Sequence, residues 1–192
     1  MSSRSIRNQL RIIGGTWRGR KIRFADIPGI RPTPDRVRET LFNWLAPAIR
    51  GSRCLDLFAG SGVLGLEAAS RGAGDVVMVD ASREAVSLLR EQVSVLQAHR
   101  VQVIQGLAEK YLGGAVTPFD IVFLDPPFGK GLLEPVMQQL ATGGWLTDPA
   151  WIYIEAERNQ ELLHYPDDWQ EYRSRVAGQV SYRLLHFTAR DR

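Results

Sequence analysis

Apolar and polar residues alternate with two different periods along this chain, and the change of period divides it. Segments 9–13 (QLRII) and 20–24 (RKIRF) alternate residue by residue and flank the turn-forming run Gly14-Gly15-Thr16-Trp17-Arg18-Gly19. That pattern predicts a β-hairpin, with Ile22 and Phe24 on one side and Lys21 and Arg23 on the other. After Ile27-Pro28-Gly29, residues 32–49 (PTPDRVRETLFNWLAPAI) switch to helical spacing. Thr33 is the expected N-cap and Pro34 the first helical residue. Val37, Leu41, Trp44, Leu45 and Ala48 form the apolar stripe, with Arg36, Glu39 and Asn43 off it.

From Arg53 onward, short apolar runs alternate with helical patterns. Strands are expected at 54–58 (CLDLF), 75–79 (DVVMV), 101–104 (VQVI) and 119–124 (FDIVFL), and helices at 63–71, 83–97 and 131–141. Strands separated by helices imply a parallel, doubly wound α/β sheet, because parallel neighbours need long crossovers. The tail breaks the pattern. WIYIEAE at 151–157, WQEYRSRVAGQ at 169–179 and VSYRLLHFTA at 180–189 read as strands with little helix between them, the last pair antiparallel around Gly178.

Composition adds limits rather than identity. With 192 residues, 44% hydrophobic and 23% charged, the chain is globular and long enough to bury a core. A single cysteine, Cys54, excludes a disulfide framework. Neither a membrane span nor a signal peptide is recognisable, so a cytoplasmic location is expected. His99, His164 and His186 are scattered without ligand spacing, and no metal site is expected.

Charge changes the picture once it is located. The net charge is +3, yet residues 1–50 hold eleven Lys and Arg against three acids, while the remainder holds 13 against 18. A basic segment of this kind suits a polyanion partner through counterion release. Arginine supplies 21 of the 24 basic residues, and its planar fork favours phosphate and base contacts. Arg11, Arg18, Arg20, Lys21, Arg23 and Arg36 are the candidate contacts for such a polyanion, which the resemblance named below implies is RNA, with a solvated basic arm as the alternative. Trp17 joins them as a base-stacking aromatic, with hairpin packing as the alternative. The other tryptophans, Trp44, Trp145, Trp151 and Trp169, are expected in core or edge packing.

Candidate chemistry sits at three strand ends, where ligands bind in open α/β sheets. The first carries Asp56, Phe58, Ala59 and the glycines Gly60, Gly62 and Gly65 in a G-x-G-x-x-G pattern. The second ends in Asp80, followed by Ala81, twenty positions after Gly60, where a carboxylate accepts ribose hydroxyls. These two features suit an adenosine-containing cofactor, NAD or S-adenosylmethionine. Asp56 beside the glycine loop favours the latter, because a carboxylate attracts an ammonium or sulfonium and repels a pyrophosphate. The third end is Asp125-Pro126-Pro127-Phe128. Asp125 and the Pro126 carbonyl are acceptors suited to the two hydrogens of an exocyclic amino group, and Phe128 is placed to stack on its base.

Together these motifs resemble the class I, Rossmann-like S-adenosylmethionine-dependent methyltransferases, and more closely the RsmD family. The resemblance rests on residues 11–22 (RIIGGTWRGRKI), 31–45 (RPTPDRVRETLFNWL), 56–73 (DLFAGSGVLGLEAASRGA), 119–128 (FDIVFLDPPF) and 176–184 (VAGQVSYRL). It implies a seven-stranded, mostly parallel methyltransferase sheet over residues 31–192, with an antiparallel C-terminal strand and a basic N-terminal hairpin arm over 1–30. It also implies methyl transfer to the N2 amino group of a guanine, G966, in the 16S ribosomal RNA of the small ribosomal subunit. Asp56, Gly60 and Gly62 then line the methionine part of the cofactor, Asp80 holds its ribose, and Asp125 and Phe128 hold the guanine. Thr33 and Arg36 are assigned either to closing the cofactor pocket or to facing RNA. After the third strand, many methyltransferases carry an acidic or amide residue near the cofactor's adenine. This chain has Gln105-Gly106-Leu107-Ala108, which leaves adenine recognition to the backbone around Leu107 or to the Gln105 side chain. The alternatives are an adenine-N6 or cytosine-N4 methyltransferase, an NAD-dependent oxidoreductase, and a non-enzymatic RNA-binding module.

Overall fold

Apolar β-branched runs bounded by turn residues bury on both faces, and here they form the centre of a seven-stranded sheet. The computed structural model describes residues 9–25, 32–158 and 164–189. Arg4, Arg7, Arg31 and the Ile27-Pro28-Gly29 stretch lie outside them. The elements are β1 (Gln9–Arg11), β2 (Lys21–Arg23), α1 (Asp35–Trp44), β3 (Arg53–Asp56), α2 (Val63–Ser70), β4 (Asp75–Asp80) and α3 (Arg83–Val95). They continue with β5 (Val101–Gln105), α4 (Ala108–Leu112), β6 (Phe119–Leu124), α5 (Leu133–Thr142), β7 (Leu146–Glu157), β8 (Trp169–Ala177) and β9 (Val180–Phe187).

The large sheet has the order β5-β4-β3-β6-β7-β9-β8. Strands β3 to β7 are mutually parallel; β9 runs antiparallel to β7 and to β8. The expected α/β fold, with its antiparallel C-terminal strand turning at Gly178 (φ +62°), is what the chain adopts. Each face of the sheet carries its own core. Cys54, Met78, Phe123, Tyr153 and Leu184 join α1, α2 and Leu89 of α3 on one side. Leu55, Val77, Val122, Ile152 and Leu185 meet α4 and α5 on the other. The strict alternation follows from the two-residue repeat of a strand.

The hairpin forms as its pattern predicts, pairing Gln9 with Arg23, Leu10 with Ile22 and Arg11 with Lys21. It is not free of the body. Its turn docks on the end of α2: Thr16 N–H donates to the Ser70 carbonyl at 2.8 Å, and Trp17 N–H to Ser70 Oγ at 2.9 Å. A Cβ on Gly15 would sit 1.8 Å from the Ser70 carbonyl oxygen, so only glycine permits this approach.

Two expectations about α1 need correction, and one short helix was not expected. Thr33 does not cap α1. Pro34 occupies the cap position without a side-chain hydrogen bond, and the Thr33 hydroxyl donates instead to Glu155 at 2.7 Å. The helix stops at Trp44 rather than running to Ile49, and turns carry the chain past Pro47, whose missing N–H and ring disfavour continuation. The short helix α4 lies in a stretch with too few residues for a helical period to declare itself.

Arg38 also departs from the pattern, because a charged residue beside the apolar stripe is expected in solvent yet is fully buried. Its guanidinium pairs with Glu67 of α2 at 2.8 Å, donates to the Arg11 carbonyl at 2.9 Å and to the Thr33 carbonyl at 3.1 Å, and contacts Asp35. Glu67, equally buried, also accepts Ile13 N–H at 2.5 Å and pairs with Arg71 at 3.1 Å. One buried ion pair therefore joins the hairpin, α1 and α2. Replacing Arg38 by Met leaves Glu67 buried with a weaker complement, and we expect a loss of about 3 kcal/mol, measured as a lower urea midpoint at unchanged m-value.

Candidate active site

Strand order reverses at β3: the chain leaves it towards β4 and β5 on one side and later returns to β6 and β7 on the other. At such a switch point the carboxyl ends of adjacent strands open a crevice. Register then decides which side chains share it. Asp56 pairs with Met78 and with Phe123, and Phe123 pairs with Tyr153. Two positions beyond Met78, Phe123 and Tyr153 stand Asp80, Asp125 and Glu155. Side chains two apart share a sheet face, so four carboxylates gather on one face at one end of the sheet.

The glycine loop is built around two of them. Gly60 N–H donates to Asp80 Oδ2 at 2.7 Å, and Ser82 N–H to Asp80 Oδ1 at 2.7 Å. Each carboxylate oxygen keeps a further acceptor site. Gly62 (φ +75°) opens α2 in a left-handed conformation, and a Cβ there would meet Leu89 at 2.2 Å. Gly65 lies inside α2, donates its N–H to Asp56 Oδ2 at 3.1 Å, and would meet Met78 at 2.7 Å if it carried a Cβ. Gly65 thus serves close packing and fixes Asp56, whereas Gly60 and Gly62 shape the crevice edge.

Asp56 is buried, and its Oδ1 has no hydrogen-bond partner. Burial raises its pKa from 3.8 to about 7, opposed by the Gly65 hydrogen bond and assisted by the charge of Asp80. Asp125, half-buried one residue past β6, is pushed well above the usual carboxylate range by burial, then by Glu155 and Asp56. Glu155 is raised by burial while hydroxyl donors from Thr33 and Tyr153 pull it back. Among the described residues, no Lys, Arg or His forms an ion pair with any of these carboxylates. Nor are any three Asp, Glu, His or Cys groups arranged to hold a metal ion.

The remaining residues singled out from sequence fall into two places. Pro126 is buried, and Phe128, half-buried, lines a small cleft with Pro126, Leu133 and Glu155. Phe58 is half-buried, Ala59 is buried with its N–H bonded to the Val79 carbonyl at 2.9 Å, and Ala81 is exposed. Leu107, exposed at 48%, precedes α4, and Gly106 N–H bonds to the Asp80 carbonyl at 2.9 Å, so this turn abuts the second strand end. Gln105 is exposed and lines a groove with Arg83, Ser87 and Arg90. On the hairpin, Arg11, Arg18, Arg20, Lys21 and Arg23 are exposed, while Trp17 is half-buried against the first core; Arg36 is exposed on α1.

Sequence reasoning missed Glu155. The available signal was an acid at the carboxyl end of the apolar run Trp151-Ile152-Tyr153-Ile154, the same placement that drew attention to Asp80 and Asp125.

A raised carboxyl pKa has a thermodynamic signature. Folded Asp56 holds its proton up to about pH 7, whereas the unfolded group ionises near 3.8. Its contribution to stability is therefore full below the unfolded pKa and lost as pH rises through about 7. Asp56→Asn keeps the acceptor for Gly65 and removes the titration. Going from pH 5 to pH 8, the variant should gain on the order of 2–4 kcal/mol relative to wild type, read from paired denaturation curves; parallel pH profiles would refute the assignment.

Comparison with known proteins bears on this architecture. The family described as "Conserved hypothetical protein 95" matches residues 10–186. Ribosomal RNA small subunit methyltransferase D of Escherichia coli K12 is 51% identical over 176 residues, covering 92% of this chain and 89% of its own. The protein of the same name from Haemophilus influenzae is 41% identical over 184 residues, covering 94% and 95%. Among solved structures, "Putative methyltransferase yhhF" from Escherichia coli superposes with a TM-score of 0.89 at 46% identity, covering 95% of this chain and all of the other. With the glycine loop, the acidic second strand end and the Asp125-Pro126-Pro127-Phe128 turn all set at one switch point, the chain belongs to the RsmD family of methyltransferases.

Proposed function

We propose that this protein transfers the methyl group of S-adenosylmethionine to the N2 amino group of a guanine, G966, in 16S ribosomal RNA of the small ribosomal subunit or its assembly intermediate, in the cytoplasm. The observation that carries this reading is the joint placement of Asp56, Asp80 and Asp125 on one face at the switch point. The names of the relatives support the RNA class.

The crevice suits that cofactor. Asp56 Oδ1, buried and without a partner, is an acceptor for the ammonium of its methionine portion. Asp80 accepts the ribose hydroxyls with the lone pairs left over from Gly60 and Ser82. Gly60 and Gly62 keep the loop free of side chains; Phe58, Ala59 and Ala81 border it, and Leu107 offers an apolar surface for adenine. When bound, S-adenosylmethionine supplies an electrophilic methyl carbon on a sulfonium.

The chain's own task is to aim a weak nucleophile. The lone pair of a guanine N2 is delocalised into the ring. Asp125 and the Pro126 carbonyl accept its two hydrogens, Phe128 stacks on the base, and the nitrogen is held facing the cofactor. As the nitrogen becomes cationic during transfer, the negative edge stabilises it, and Asp125 takes up the released proton. Arg11, Arg18, Arg20, Lys21, Arg23 and Arg36 grip phosphates, with Trp17 available at the turn.

The deciding experiment supplies labelled S-adenosylmethionine with small subunits lacking the modification and maps the methylated nucleoside. N2-methylguanosine is expected; N6-methyladenosine or N4-methylcytidine would overturn the assignment. In the same assay Asp125→Ala should lower turnover by at least about a thousandfold while S-adenosylmethionine affinity by calorimetry stays near wild type. Reversing the charges of Arg18, Arg20 and Arg23 should weaken RNA binding and reduce its log–log salt slope by about 2. Unchanged slope would remove the hairpin from RNA recognition.

A further inference from the structure

Glu155 is a buried carboxylate, 4% exposed, at the carboxyl end of β7. Leu124 and Ile154 are register partners, so Glu155 stands beside Asp125 on the neighbouring strand. Two hydroxyls, from Thr33 at 2.7 Å and Tyr153 at 2.9 Å, both donate to its Oε1. Neither reaches Oε2, and Glu155 forms part of the wall of the cleft shared with Pro126 and Phe128. A buried carboxylate braced on one oxygen and open on the other is shaped to accept one more hydrogen.

We infer that Glu155 determines base specificity, its Oε2 accepting the ring N1–H of the target guanine while Asp125 and the Pro126 carbonyl hold the adjacent N2 amino group. The inference rests on the guanine-N2 reading and deepens it. Guanine is the amino-bearing base whose ring nitrogen next to the amino group carries a hydrogen. Adenine and cytosine present a lone pair there, which a carboxylate repels. Asp125 and Pro126 recognise an amino group in general, so discrimination between bases requires a further group at this position. A buried polar group left unpaired by the wrong base is the stronger source of selectivity. The two hydroxyl donors pull the Glu155 carboxyl back towards its ionised form, against the rise that burial imposes.

Small subunits reconstituted with guanine or with 2-aminopurine at the target nucleotide test this directly. 2-Aminopurine keeps the N2 amino group but has a lone pair at N1. Wild-type enzyme should favour guanine by at least about a hundredfold in kcat/KM. In Glu155→Gln the carboxamide can turn its N–H to that lone pair, so the preference should collapse to near parity or reverse. The intrinsic difference in reactivity between the two bases cancels in the comparison of the two enzymes. Equal use of both bases by the wild type, which requires no variant to fold, would overturn the inference. So would a Glu155→Gln enzyme that slows on both bases in proportion. If the wild type forms no N2-methylguanosine at all, the functional reading itself fails, an outcome distinct from either.

Discussion

The site is governed by a concentration of carboxyl groups to which, among the described residues, no basic side chain is paired. Asp56, Asp80, Asp125 and Glu155 reach the same end of the sheet because four parallel strands stop at similar heights with matching parity. Burying such groups near one another opposes folding, and the raised pKa values of Asp56, Asp125 and Glu155 express that opposition. The chain answers it only locally, through backbone N–H groups at Asp80 and Asp56 and hydroxyls at Glu155. A positive charge entering the crevice relieves that opposition, which is what gives the proposed cationic cofactor its place and the proposed transition state its stabilisation. Stability and function pull against each other at these side chains, as they commonly do where charges are preorganised for a ligand.

Much of the sheet was readable from the chain because each strand carries its own bounded apolar run. Parity along those runs distributes Cys54, Met78 and Phe123 to one face and Leu55, Val77 and Val122 to the other. The crevice was readable for a related reason: Asp56, Asp80 and Asp125 each close an apolar segment, and glycines mark the turn after the first. The features that escaped are those decided by residues distant in sequence. Thr33 has the identity of a helix cap, but Glu155, 122 positions later, competes for its hydroxyl and wins. Arg38 has the charge of a surface residue, but Glu67 and two carbonyls enclose it. Glu155 itself reads as the polar end of a strand until register brings Asp125 beside it.

Those escaped contacts form a continuous path. The hairpin offers the Ile13 N–H to Glu67 and the Arg11 carbonyl to Arg38; Arg38 holds the Thr33 carbonyl; Thr33 holds Glu155 at the cleft wall. Arg71 closes the cluster from the other side, paired with Glu67 and stacked 4.9 Å above the Phe42 ring. The hairpin therefore has a fixed position relative to the acidic crevice, set by buried polar contacts rather than by the length of a linker. Buried ion pairs of this type contribute modestly to stability against an apolar replacement, and their value lies in permitting one arrangement.

Under the proposed function, that arrangement gives the uneven distribution of charge along the chain a physical reason. An exposed basic surface on β1, β2 and their turn attracts a phosphate backbone over distances comparable to the Debye length, about 8–10 Å at physiological salt. Placed at the crevice, the same arginines would neutralise Asp56 and Asp125 and remove the field on which the proposed chemistry depends. Placed on a mobile tether, they would hold RNA without orienting it. Arg38, the one fully buried arginine among the described residues, and the half-buried Arg71 are both paired with Glu67 on the hairpin side, and no arginine forms an ion pair with the strand-end carboxylates among the described residues. Attraction of the proposed RNA substrate and stabilisation of the proposed reacting centre require opposite charges, and the fold keeps the two groups of charges apart on elements joined by buried polar contacts.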